Sequence, residues 1–432
     1  MNGIEVERGA HAFAGVPLER ALAALRRLEP GARACWAYDL DLIEARARRF
    51  VRAFTGLEPR VAYALKANAL PAILERLRAA GVDAECGSLG ELELAEAAGF
   101  PAARRNLNGN GRTPEEAEWA ARHGLHSVNA DSPAELELLE RAAAGASARL
   151  RVALRVNPGI MTPGHAYVAT GHVEAKFGMS PDEALAAWAG RARWPHLLVD
   201  GLHVHIGSQL LDLAPLEAAL DAARALAAEA ARRGAPLGLL NLGGGFGIDY
   251  EGRGAEFPLE RWGARLAERA RATRLEWVLE PGRWIVAPAG VLLAEVLWVK
   301  ERAVRADPGA GARFVVLAAG MNDLLRPALY RARHRIVPLE PRAGERWRAT
   351  VVGPVCESAD VFAAELELSP LQPGDVVAIL DVGAYGAAMS SNYNGRGRLA
   401  ELIASGGTLT RARAGETAAD LTARRRADRL EV

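Results

Sequence analysis

Residues 61–68 read VAYALKAN. Val61, Tyr63 and Leu65, interleaved with Ala62 and Ala64, have the make-up of a buried β-strand. An unpaired ammonium would be costly to desolvate there, so Lys66 needs a reason. On one reading it lies at the strand's C-terminal end and snorkels to water. On the other it is half-buried, with a lowered pKa, and serves as a nucleophilic or Schiff-base-forming amine.

Moving outward, the same kind of run recurs. VDAECGS (82–88), RNLNGNG (105–111), HSVNAD (126–131), RVALRVNP (151–158), VDGLHVHIGS (199–208), LLNLGGG (239–245) and EWVLEPGR (276–283) bring the strands to eight. Between them lie helical segments such as PAILERLRAAG, GELELAEAAG, TPEEAEWAARHG, SPAELELLERAAA, SPDEALAAWAG and LAPLEAALDAARALAAEAARRG. Several begin with Ser or Thr followed by Pro or Glu, the chemistry of a helix N-terminus. Eight strand–helix units predict an α/β fold, a (β/α)8 barrel with its crossover helices outside. An open doubly wound sheet is the structural alternative that counting leaves in place.

Beyond residue 286 the pattern changes. RFVVLAAG, RWRATVVGP and DVVAILDVG are β-branched runs separated by Gly, Pro and Asp, which predicts a mostly antiparallel β domain. CWAYD (35–39) is also strand-like, so the N-terminal arm is expected to complete that domain. The expected division is a barrel over 40–285 and a β domain over 1–39 and 286–432.

Composition narrows the function. Lys plus Arg and Asp plus Glu both total 53 in 432 residues, a balance that argues against a nucleic-acid or anionic-membrane surface. Cys35, Cys86 and Cys356 are widely spaced and form no CxxC pair. That disfavours a disulfide framework or a zinc or other metal site and favours a reduced, cytoplasmic setting. The N-terminus lacks an apolar signal-peptide core. The apolar run WIVAPAGVLLAEVLWV (284–299) is broken by Pro288 and Glu295 and is too short for a membrane span; we read it as strands.

In a barrel the C-terminal strand ends face the active site. The polar residues fall there: Lys66, Glu85, Asn108, Asn129, Arg155, His205, the Gly243–Gly245 run, and Glu280 with Arg283. A glycine run after the seventh strand can seat a phosphate on its backbone N–H groups, with Ser208 as a further donor. It lacks the GxGxxG spacing of a dinucleotide fingerprint. A lysine, one phosphate seat, an imidazole and an acid together meet the needs of pyridoxal 5'-phosphate: Lys66 for the aldehyde, Glu280 to keep the pyridine nitrogen protonated, and His205 to stack on the ring. His203 and His205 are placed on one pleat face, one as a core histidine and the other in the site.

YALKAN, HVHIGSQ, GGGFG, EPGR, GPVCESAD and GAYGAAMSSNYNGR resemble the motifs of the fold-type III, pyridoxal-phosphate-dependent amino-acid decarboxylases. ATGHVEAKFG (169–178) and AAGMNDLLRPALYRARHRIVP (318–338) resemble the diaminopimelate decarboxylase branch more than the ornithine or arginine branches. The likeness runs from about residue 37 to 402. It implies a homodimer with shared active sites that decarboxylates meso-2,6-diaminopimelate to L-lysine and CO2.

The resemblance also assigns roles. Lys66 would hold the cofactor covalently. Glu280 would pair with the ring nitrogen, and Gly243, Gly244, Gly245, Ser208, Gly282 and Tyr393 would hold the phosphate. Glu85, Arg155, His205 and Tyr385 would complete the cofactor's surroundings. Cys356 would return a proton to Cα. Arg283, Arg326, Tyr330, Glu357 and Tyr385 would bind the far end of the amino-acid substrate, where a guanidinium grips a carboxylate with two bonds. Four positions depart from the family pattern: Glu85 and Ala318 stand where Asp is usual, and Asp381 with Val382 where small residues are usual. A decarboxylase for another diamino acid, a D-amino acid or carrier-bound glutamate would share most of these motifs, as would a related racemase or a non-catalytic cofactor carrier in part.

Overall fold

A computed structural model describes residues 5–7, 10–160, 176–271, 273–304 and 307–423. Most of ATGHVEAKFG, residues 169–175, lies outside them. The chain divides into two compact units. One comprises residues 43–249 and 254–285; the other comprises 1–42, 250–253 and 286–432.

The first unit is a closed, all-parallel barrel. Its strands are Arg60–Ala64, Asp83–Cys86, Arg105–Leu107, Ser127–Ala130, Leu150–Arg155, Leu197–His203, Leu239–Asn241 and Glu276–Leu279, paired in sequence order and closed by the eighth on the first. All eight expected strands are present, and closure removes the open-sheet alternative. Small residues let the wall curve in. Ala62, Ala153, Leu239 and Val278 form one buried cluster, and a Cβ on Gly201 would stand 2.6 Å from that of Ala153.

Helix starts follow the sequence signals. Thr113 with Glu116, and Ser180 with Glu183, close reciprocal capping boxes ahead of Pro114–His123 and Pro181–Ala189; each cap is worth about 1 kcal/mol. The barrel's N-terminal end is sealed by charge. Glu276 accepts from Arg60 Nε at 2.6 Å and lies 2.9 Å from His126 Nε2, and Arg151 joins it.

The second unit is built on a nine-stranded, mostly antiparallel sheet around the long strand Gly290–Val304. That strand pairs antiparallel with Asp307–Leu317, Val376–Ile379 and the N-terminal Ala34–Asp39. The strand Ala34–Asp39 is therefore part of this sheet. Two pairings are parallel, Ala34–Asp39 with Glu401–Ser405 and Asp307–Leu317 with Trp347–Val352. The helix Leu18–Arg26 lays Leu18, Leu22 and Leu25 on a core that includes Cys35, Val291, Leu293 and Leu402.

One expectation fails here. The 284–299 run is not strand throughout: Arg283–Val286 is a helical turn and Ala287–Ala289 a 3-10 turn before the strand begins at Gly290. Pro288 has no N–H for a ladder, so a central strand cannot start before it. Among the described residues no helix is long and apolar enough to cross a membrane.

Candidate active site

The barrel's C-terminal end gathers the predicted polar residues around one carboxylate. Glu280, just past the eighth strand, is buried. Its Oε1 accepts from Asn241 Nδ2 at 2.6 Å, Asn108 Nδ2 at 3.1 Å and Asn129 Nδ2 at 3.3 Å, and its Oε2 lies 3.4 Å from His203 Nε2. Burial alone would push this carboxyl up. His203, Lys66 and Asn241 outweigh it and hold the group well below the ordinary carboxylate range. A fixed negative charge thus stands at the base of the mouth.

Lys66 lies on the 3-10 turn Leu65–Ala67, directly after the first strand. Its side chain is 54 % exposed, and Nζ stands 3.4 Å from Glu85 Oε2. The strand ends at Ala64, two residues before Lys66, and the turn leaves the amine half-exposed at the barrel's C-terminal end. Glu85 is 1 % exposed and accepts from Asn108 at 2.8 Å; its Oε2 has no hydrogen-bond partner.

His205 is also displaced from its expected place. The sixth strand ends at His203, so the two histidines do not share a pleat face; His203 points into the Glu280 cluster and His205 belongs to the following loop. The Gly244 N–H donates to His205 Nδ1 at 3.1 Å, which puts any proton of the neutral ring on Nε2. Burial, with Arg155 and Lys66 nearby, pushes the imidazole down to about 3. His205 is therefore an uncharged, flat ring at neutral pH. Arg155, at the end of the fifth strand, is kept in place by Phe177, 4.5 Å from its guanidinium carbon, and by Asp131 at 3.6 Å.

The glycines act by close approach. A Cβ on Gly243 would meet His205 Nδ1 at 2.7 Å, on Gly244 the Glu280 carbonyl oxygen at 2.2 Å, and on Gly245 the Gly207 carbonyl oxygen at 2.4 Å. Gly243 and Gly245 also have φ of +64° and +99°. The N–H groups of Gly243 and Gly244 donate inward, to Asn241 Oδ1 and His205 Nδ1, rather than being presented to a phosphate as the sequence suggests. Ser208 Oγ accepts from Arg283 Nη2 at 2.9 Å, and Gly282 packs on Ala64 and Ala67.

The remaining predicted residues belong to the β unit. Cys356 is exposed, in the turn between Trp347–Val352 and Val361–Leu368. That turn is pinned by Asp360, which accepts from the Val355 and Met321 N–H groups at 2.7 Å each. Tyr393 donates its hydroxyl to Glu357, joining a residue expected at the phosphate to one expected at the substrate. Arg326 is buried at the start of the helix Arg326–Tyr330. Tyr385 has φ of +58°, four residues beyond Asp381 at +59°, which is held by Arg335 at 2.7 Å.

Three contributors escaped sequence reading as site residues: Asn241, His203 as the partner of Glu280, and Asp360. Asn241 could have been found, since it is the polar strand-end residue just before the glycines. The other two need the fold, because Glu280 and Met321 are brought to them from distant parts of the chain.

The donor set fits pyridoxal phosphate: an amine, an ionised buried carboxylate, an uncharged ring and closely approaching glycines share one barrel end. Residues 40–287 match the family model described as the pyridoxal-dependent decarboxylase, pyridoxal binding domain. The chain belongs to this family of pyridoxal-dependent decarboxylases. Among its relatives, the diaminopimelate decarboxylase of Zymomonas mobilis is 38 % identical over 391 residues, covering 90 % of this chain and 91 % of that protein. That of Pseudomonas aeruginosa is 39 % identical over 389 residues, again 90 % and 91 %. The solved diaminopimelate decarboxylase of M. jannaschii in complex with L-lysine superposes with a TM-score of 0.89 at 32 % identity, covering 99 % of this chain and 98 % of that one. The fold is the fold-type III architecture of these decarboxylases.

Proposed function

We propose that this pyridoxal-dependent decarboxylase converts meso-2,6-diaminopimelate to L-lysine and CO2, acting as a cytoplasmic homodimer with shared active sites. The observation that carries the chemistry is Glu280, buried and held ionised on the same barrel end as the Lys66 amine. The relatives named above support the substrate.

Bound at this end, pyridoxal phosphate supplies an electron sink for the pair left behind when CO2 departs. Lys66 would hold it through its amine. Glu280 keeps a proton on the ring nitrogen, and its three asparagine donors stop the carboxylate from rotating away. His205, uncharged, offers a stacking face without competing for that proton. Glu85 stands beside the amine and Arg155 lines the same mouth, while Ser208, Gly245, Gly282 and Tyr393 serve the phosphate. Cys356 delivers the proton that replaces CO2 on Cα. Arg283, Arg326, Tyr330, Glu357 and Tyr385 bind the far amino-acid end of the substrate, the arginines gripping its carboxylate.

The test is a substrate panel: the purified holoenzyme offered meso-, LL- and DD-diaminopimelate, both enantiomers of ornithine and lysine, L-arginine and L-glutamate, with CO2 and product followed. Lysine formed from the meso isomer far faster than any other turnover is the expected result. Faster turnover of another amino acid overturns the substrate and leaves the cofactor chemistry standing.

A further inference from the structure

The surroundings of Arg326 contain a residue that this chemistry does not use. Arg326 Nη1 lies 2.9 Å from His334 Nε2. A guanidinium has donors only, so His334 Nε2 presents its lone pair. His334 Nδ1 lies 3.0 Å from the carbonyl oxygen of Leu380, which only accepts, so the ring's proton is on Nδ1. The two contacts together admit one form, the neutral imidazole protonated at Nδ1.

The frame around the pair is rigid. His334 is 7 % exposed and Arg326 6 %. Tyr250 braces both: its ring centre is 4.8 Å from the Arg326 guanidinium carbon and 5.1 Å from the His334 ring, edge to face at 81°. The Leu380 acceptor is fixed in turn, since the Leu380 N–H donates to the Arg335 carbonyl oxygen at 2.8 Å.

We propose that His334 is a positioning residue for substrate recognition: as a neutral acceptor it orients the Arg326 guanidinium toward the substrate's distal carboxylate. This rests on the reading of Arg326 as a carboxylate ligand. The choice of imidazole has a physical logic. A carboxylate at position 334 would also orient the guanidinium, but it would neutralise the charge and compete with the substrate for it. A neutral acceptor takes one of the five N–H donors without setting a negative charge against the guanidinium. Tyr250 adds attraction to the cation through its ring face, again without opposing charge.

The experiment is steady-state kinetics of the holoenzyme on meso-diaminopimelate for H334F, H334Q, H334E, R326K and the double variant R326K/H334F. H334F keeps a flat ring for Tyr250 but has no acceptor; its KM is expected to rise about ten-fold or more, by more than kcat falls. H334Q restores an acceptor and most of the KM, whereas H334E keeps an acceptor, adds charge and raises KM again. The double variant is expected to be no worse than R326K alone, because the effect of His334 passes through Arg326. A raised KM in R326K with none in H334F, a loss confined to kcat, or multiplicative effects in the double variant each overturn the proposal alone. An unchanged KM in R326K overturns the reading of Arg326 and the proposal with it. Should H334F fail to accumulate as holoenzyme, the 15N spectrum of the histidine-labelled wild-type protein decides: the neutral Nδ1–H form at His334 is expected, and a proton on its Nε2 overturns the proposal.

Discussion

Lys66 Nζ stands 3.4 Å from Glu85 Oε2, across the first and second strands of the barrel. The pair places the Lys66 amine beside a buried carboxylate, on a turn that exposes it. Replacing Lys66 by Ala should abolish the cofactor's visible absorption band and reduce decarboxylation to background. Glu85→Asp, which shortens the carboxylate by one methylene, should keep the band and change kcat/KM by less than about ten-fold; absorption spectra and rates on the two variants decide.

Glu280→Gln removes a charge while keeping shape and most of the hydrogen bonding. The variant should still bind pyridoxal phosphate but lose about two to three orders of magnitude in kcat, because a neutral amide cannot hold the ring nitrogen protonated. Cofactor titration and single-turnover rates on the same preparation separate binding from chemistry.

Reactivity of the thiols should divide two to one. Cys35 is buried and pushed up to about 12, and Cys86 is buried and raised well above its ordinary value, by desolvation first and then by neighbouring acids. Cys356 is exposed. Alkylation of the native enzyme should label one thiol per chain and abolish activity in step, Cys356→Ser should label none, and denaturant should release the other two.

Acid stability should report the sealed end of the barrel. Glu276 is held well below the ordinary carboxylate range, first by His126 and also by Arg60 and Arg151, against the opposing effect of burial. A depressed folded pKa stabilises the fold above the unfolded value and loses that contribution as pH falls below about 4.5. His205 runs in the same direction: its folded pKa of about 3 against an ordinary 6.5 means that the unfolded chain takes up the proton first, so stability falls between those values. The melting temperature should drop from pH 6.5 downward. Glu276→Gln should melt below wild type at neutral pH, and the gap should narrow as pH falls below about 4.5, with thermal scans across pH 3–7 as the check.

Shared active sites make a mixing prediction. If Cys356 of one protomer completes the site of Lys66 in its partner, inactive K66A and C356S proteins, dissociated and reassociated together, should recover about a quarter of wild-type activity, since half the dimers are mixed and each carries one intact site. No recovery, with mixed dimers demonstrated by mass, would place the two residues in the same protomer's site.

The periodic parts of the fold were legible in the chain. All eight barrel strands could be placed because parallel strands buried on both faces read as short apolar runs ending in polar residues, and Lys66, Glu85 and Glu280 follow from those ends. Much of what escaped was set by partners distant in sequence. His203 looks like His205 until Glu280 is brought to it from beyond the eighth strand. The glycine loop looks like an open row of N–H groups until Asn241 and His205 are seen to take two of them. Asp381, unusual for its family, is accounted for by Arg335 and by a left-handed backbone that Asp tolerates. Ala318 has no comparable structural account.

The arm strand Ala34–Asp39 is buried at every position, and its neighbours are the strands at Gly290–Val304 and Glu401–Ser405. Tyr38 gives its hydroxyl to Glu401, 363 residues further along the chain. At about 5–20 residues per second of synthesis, that partner emerges roughly 20–70 s after the arm. The apolar segment ACWAYD therefore spends most of translation outside any sheet while the barrel between its partners is being made. The arm strand can find both of its neighbours only after the barrel between them in the sequence has been made.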